Sequence, residues 1–187
     1  MNPPLRIAVV IASSRPERVG PAVAEWVYAG TQQRAGVTYD LVDLAEEDLP
    51  NLDEPEPASS GNYTQEHTRA WSEKVTGYDG FVFVTPEYNR GIPGQLKNAL
   101  DFLYAEWNDK AAGIVCYGSS GGLRAAEQLK LVLGELQVAT VRAQVSVSIY
   151  DDMADFSRMT PRDFQARNLQ TMLDQTERWA GALRTLR

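Results

Sequence analysis

Cysteine and histidine are almost missing from this chain: Cys116 and His67 are the only residues of their kind. With one cysteine no disulfide can form within the chain, and a reducing, cytoplasmic setting is the expectation. One histidine leaves neither a histidine-rich metal site nor a pair for a two-histidine mechanism. Cys116 falls at the end of an apolar run and reads as a buried structural thiol; neither it nor His67 is assigned a catalytic role. Bases are in the minority, 18 against 25 acids, for a formal net charge of -7. That balance disfavours general nucleic-acid binding and docking on anionic membranes. No apolar run approaches the roughly 18 residues of a membrane span. The start, Met1-Asn-Pro-Pro-Leu-Arg, lacks the basic, apolar and small-residue pattern of a signal peptide.

What is present is a regular alternation of strand-like and helix-like segments. The 187 residues suffice for one domain with a sizeable core, and no composition shift marks a second, so a single domain over 1–187 is expected. Leu5 to Ala12 is nearly all apolar, as a parallel strand covered on both faces would be. A helix opened by Pro21 follows, where a missing N–H costs nothing, with Val23, Trp26, Val27 and Gly30 on one face and Gly36 at its end. Val37 to Asp43 is the second strand. From Asp43 to Glu56 there are seven acids and no base, with prolines interspersed, which reads as a solvated loop or, functionally, a mobile flap. Thr64 to Thr76 is a helix capped by Asn62 or Thr64 and stopped at Gly77, with Trp71 and Val75 on the sheet.

Phe81 to Thr85 is the third strand, ended by Pro86, which cannot donate to a ladder. After its loop comes a helix with Leu96, Ala99, Leu100 and Leu103 at helical spacing. Ala111 to Tyr117 is a fourth strand, followed by a helix with Ala125, Leu129, Val132, Leu133 and Leu136 on one side. Val138 to Ile149 is a fifth, longer strand. The last helix runs from about Pro161 to Leu186, its buried stripe Leu169, Met172, Leu173, Thr176, Ala180 and Leu183. Right-handed crossovers then give an α/β fold of three layers: a five-stranded parallel sheet of order 2-1-3-4-5 with helices on both faces.

Three loops of unusual chemistry follow strands one, three and four, so their positions converge on one sheet edge, where open α/β sheets bind ligands. The first, Ser13-Ser-Arg-Pro-Glu-Arg-Val-Gly20, suits a phosphate. Ser13 offers a hydroxyl, Arg15 and Arg18 offer charge, and the next helix presents its positive end. Gly20 is its only glycine, so it is neither a GxGxxG dinucleotide loop nor a Walker loop. The second runs through Pro86, Glu87, Tyr88, Asn89 and Arg90. The third, Gly118, Ser119, Ser120, Gly121 and Gly122, allows close backbone approach to a ligand.

The order Thr85-Pro-Glu-Tyr-Asn, then Pro93-Gly-Gln-Leu-Lys-Asn-Ala-Leu-Asp, resembles the NADPH-dependent FMN reductase family, flavodoxin-like proteins that include quinone, chromate and azo-dye reductases. Ser13-Ser-Arg-Pro-Glu-Arg-Val-Gly-Pro resembles that family's phosphate loop, although Ala12 stands where glycine is usual and Arg18 where many members have serine. The resemblance runs from Leu5 to about Ile149. It implies that FMN is bound, with NADPH or NADH as electron donor and free flavin, a quinone or another small molecule as acceptor. It implies that the second loop lies along the isoalloxazine ring and the third near its pyrimidine end. It also implies a homodimer or homotetramer, and Tyr104, Glu106 and Trp107, into which the third helix is expected to continue, read as interface residues. Arg90 is a candidate for the nicotinamide cofactor's phosphate. The alternative is a flavodoxin-type electron carrier that never meets NAD(P)H, which the acidic balance suits, but the long acidic aromatic loop expected after the fourth strand is missing. A regulator that keeps the fold without turnover is a further possibility.

Overall fold

Successive residues of Leu5–Ile11 (β1) feed two separate cores, and the computed structural model, which describes residues 3–187, is built outward from that strand. Ala8 and Val10 face one helical layer; Ile7, Val9 and Ile11 face the other, as a period of two demands. β1 lies between Val37–Asp43 (β2) and Gly80–Pro86 (β3), with Lys110–Gly118 (β4) and Val138–Ser148 (β5) beyond, all parallel in the order 2-1-3-4-5. Gly20–Ala29 (α1) and Asp163–Leu183 (α5) cover one face through Val23, Val27, Leu169, Met172 and Leu173. Glu66–Thr76 (α2), Gly94–Asp101 (α3) and Leu123–Glu135 (α4) cover the other through Trp71, Leu96, Leu100, Leu129 and Leu133. The expected architecture is therefore present. Among the described residues no helix is long and apolar enough to cross a membrane.

Four local expectations are corrected. α1 stops at Ala29, and Gly36 sits instead at φ +77° in the turn that leads into β2. Neither Asn62 nor Thr64 caps α2. Glu54 reaches in from the acidic segment and accepts from the backbone N–H of Thr64 (2.8 Å) and Gln65 (3.0 Å), which matches an anion to the positive helix end. That segment is a mostly exposed loop, as expected, but it is pinned to the body of the domain and is no free flap. Leu44 and Leu49 are buried in the core, Asn98 donates to Pro50 O at 2.7 Å and accepts from Leu52 N–H at 2.9 Å, and Asp53 meets His67 at 2.9 Å. Its acid count hid these two apolar anchors.

Trp107 is the fourth correction. α3 ends at Asp101 and the chain folds back, so Trp107 is 1 % exposed, against Phe81 at 4.9 Å between ring centres, with its Nε1–H donated to Leu100 O. It closes the chain's own core and has almost no surface to give to an interface. Tyr104 and Glu106 are only partly buried; Glu106 accepts from Tyr63 and Ser72. A short hairpin, Met153–Ala154 (β6) with Arg158–Met159 (β7), was not expected at all; two-residue strands carry no periodicity to read.

Candidate functional site

β1, β3 and β4 lie side by side in the sheet, so the loops that follow them share one edge. A cleft of about 370 Å³ opens there, within the size range of small-molecule sites. Arg15 and Arg18 form its cationic end. Val19, Tyr117, Ile149 and Phe156 give it an apolar wall, and its rims are Pro86, Glu87 and Tyr88 on one side with Gly118 and Ser119 on the other.

In the first loop, Ser13 is wholly buried and accepts from Tyr117 Oη at 3.2 Å. Burial pushes the Tyr117 phenol above its ordinary pKa, with the Ser13 bond opposing, so the phenol keeps its proton and serves as donor. Gly20 lies over this pair. A Cβ there would collide with Ser13 Oγ and stand 2.9 Å from Tyr117 Oη. Ser13 and Gly20 thus build the floor under the loop and do not line the cleft. Arg15 is exposed. Arg18 is half-withdrawn: its Nη2 pairs with Asp43 at the end of β2, while its Nε is buried and unpartnered.

The second loop is a tight turn. Tyr88 and Gly91 exchange backbone hydrogen bonds of 2.9 and 3.0 Å, which places Asn89 and Arg90 at φ +49° and +71°, the two central positions of a primed hairpin turn. Asn89 and Arg90 therefore stand at an exposed tip and outside the cleft lining, while Pro86, Glu87 and Tyr88 line it. The Glu87 carboxylate caps α4: it accepts from Arg124 N–H (3.0 Å), Ala125 N–H (3.4 Å) and Arg124 Nη1 (2.6 Å). Burial alone would raise the Glu87 pKa, but these donors hold it below the usual carboxylate value. Gln128, also on α4, accepts from Ile92 N–H at 2.7 Å.

Of the third loop, Gly118 and Ser119 reach the cleft; Ser120 is exposed beside it. Gly121 and Gly122 take φ +73° and +74° and face inward. A Cβ on Gly122 would lie 2.7 Å from Tyr117 N, and one on Gly121 would strike Ser146 Oγ. At these two glycines the close approach the structure shows is to the Tyr117 backbone and the Ser146 side chain. Sequence reasoning missed Val19, Tyr117, Ile149 and Phe156. Val19 lies inside the first loop and Tyr117 one residue before the third, while Ile149 ends the expected fifth strand, whose end was not singled out. Phe156 had no such signal. Cys116 is buried and its thiol pushed up to about 12 by that burial, which leaves it unreactive at neutral pH.

Residues 5–152 match the family model described as NADPH-dependent FMN reductase. The chain belongs to that family. An NAD(P)H-dependent FMN reductase of Schizosaccharomyces pombe is 44% identical over 149 residues, covering 79% of this chain and 74% of that protein. A 2-hydroxy-1,4-benzoquinone reductase of a Burkholderia species is 27% identical over 186 residues, 94% of this chain and 96% of its own. Among solved structures, FerB, a flavoenzyme NAD(P)H:(acceptor) oxidoreductase of Paracoccus denitrificans, superposes with a TM-score of 0.75 over 95% of this chain and 98% of its own at 22% identity. As an NADPH-dependent FMN reductase family member the chain is an oxidoreductase with FMN and NAD(P)H as cofactors.

The cleft suits that flavin. FMN carries a phosphate, a polyhydroxyl chain and a flat ring with one polar edge. The cleft offers two guanidinium groups, one with a buried N–H in search of an acceptor. It also offers an apolar wall and two loop rims, Pro86 to Tyr88 and Gly118 with Ser119.

Proposed function

We propose that this reductase passes electrons from NADPH or NADH, by way of bound FMN, to free flavin, a quinone or another small acceptor. The observation that carries the proposal is the meeting of a cationic end, an apolar wall and backbone rims in one cleft at the sheet edge. Arg15, Arg18 and the positive end of α1 would hold the phosphate. Pro86 to Tyr88 and Gly118 to Ser119 would bracket the ring, with Val19, Tyr117 and Ile149 keeping water from it. Bound FMN would supply the redox centre, taking two electrons from the nicotinamide and passing them on. No side chain of the cleft is assigned as acid or base: Glu87 is spent on α4 and Tyr117 holds its proton. With a quinone the balance is NAD(P)H, a proton and quinone to NAD(P)+ and hydroquinone. A homodimer or homotetramer rests on the family resemblance alone, since Trp107 is interior.

The test is NADPH consumption by the FMN-loaded protein with a quinone and no partner protein. We expect turnover well above that of free FMN at equal concentration. If FMN binds and consumption stays at the free-FMN rate, the electron-carrier reading replaces this one.

A further inference from the structure

The match to the family ends at residue 152, and the β6–β7 hairpin starts at the next one. Ser157 N–H closes it on Ala154 O at 3.1 Å, with Asp155 and Phe156 both at φ +51°, a conformation large side chains seldom adopt. The turn brings Phe156 to the cleft wall. Its ring is 55% exposed, and Tyr150, 65% exposed, stands edge-on to it at 5.8 Å and 82°.

The hairpin is fixed at its root. Asp152 is wholly buried and accepts from Ser148 N–H (2.9 Å), Arg162 N–H (3.1 Å), Arg162 Nε (2.9 Å) and Gln165 Nε2 (3.0 Å). Thr160 N–H donates to Asp152 O at 2.8 Å, and Met159 packs on the core cluster that holds α1. A firmly rooted turn thus presents Phe156 to the cleft from outside the part of the chain the family description covers, with Tyr150 edge-on against it.

Resting on the reductase reading above, we propose that Phe156, supported edge-on by Tyr150, is the specificity-determining wall of the acceptor site. It stacks on flat aromatic acceptors such as quinones and free isoalloxazines and discriminates against compact hydrophilic oxidants. A planar ring gains offset face contact with Phe156; ferricyanide, a charged octahedron, has no face to offer.

Phe156→Ala should lower kcat/KM for a naphthoquinone about five- to tenfold. With FMN kept saturating, ferricyanide turnover should change less than about twofold on the same reasoning, and Phe156→Trp should retain the naphthoquinone rate. Calorimetric titration of the FMN-loaded protein with 2-naphthol, which is flat but redox-inert in this exchange, should show the same five- to tenfold weakening in Phe156→Ala. Equal loss across acceptors at saturating FMN, or unchanged naphthol binding, would each overturn the assignment. Absence of NADPH oxidation by the wild type with every acceptor would instead sink the reductase reading, and the naphthol titration would still decide whether Phe156 is a stacking wall.

Discussion

Replacing Arg15 with alanine separates a phosphate anchor from a solvated side chain. Among the described residues Arg15 has no ion pair, whereas Arg18 is already tied to Asp43, so Arg15 is the freer of the two cations at that end of the cleft. A hydrogen bond to a charged group contributes roughly 1.5–3 kcal/mol. Arg15 is exposed, so solvent screening favours the lower half of that range. At about 1.4 kcal/mol per decade, FMN should bind about 10- to 30-fold more weakly. Riboflavin has no phosphate, so its affinity should stay within about twofold on the same scale. The assay is fluorescence titration of apoprotein with each flavin, wild type beside Arg15→Ala. Asp43→Asn forms a second arm: it removes an anion and releases Arg18, and should tighten FMN while leaving riboflavin unchanged. Equal losses for the two flavins in Arg15→Ala, or no loss for either, would refute the reasoning, because a folding defect or a bystander arginine would give those patterns.

Lys110 lies at the far end of β4, 2% exposed, donating to Val75 O at 2.7 Å, and burial lowers its pKa to about 7. The unfolded chain therefore binds a proton that the folded one has released, and stability should rise from pH 7 to 9 by up to about 1.4 kcal/mol per unit; urea midpoints should show Lys110→Met losing that slope, and parallel slopes would acquit Lys110. For Asp152, burial favours the neutral acid, but the bonds from Arg162, Ser148 and Gln165 prevail and hold it at about 2. Its contribution is present above the unfolded value near 4 and disappears as pH falls toward 2. Asp152→Asn should cost about 2 kcal/mol at pH 7, less than a fully buried pair because Arg162 is partly exposed, with the difference from wild type shrinking in acid melts. Trp107→Ala should cost roughly 3–5 kcal/mol without changing the mass in light scattering; a change of mass at wild-type stability would return Trp107 to an interface.

The sheet and its order were legible because β1, β3 and β4 are nearly continuous apolar runs and β2 and β5 alternate, and the cleft's rims were legible because they follow strand ends. What was hidden depends on neighbours distant in sequence. Asp43 meets Arg18 only because β2 lies beside β1. Nothing local in Pro86-Glu87-Tyr88 says that the carboxylate will turn to α4, 37 residues on. Nothing local in Gly118-Ser-Ser-Gly-Gly says that Ser146 will arrive from β5 to donate to Gly121 O. Trp107 shows the same limit from the other side: aromatic character was visible, but the direction of the chain after α3 decides whether such a ring faces in or out.

Glu87 and Gln128 tie the second loop to the helix that follows the third, and this has an entropic consequence. Ordering a loop residue costs about 1–2 kcal/mol, and a cleft with slack rims would subtract that from every binding event. Here the ordering is completed when the chain folds, since both ties are made between the protein's own side chains and backbone. A flavin bound as proposed would therefore meet a slot already formed, with no loop left to assemble on its entry.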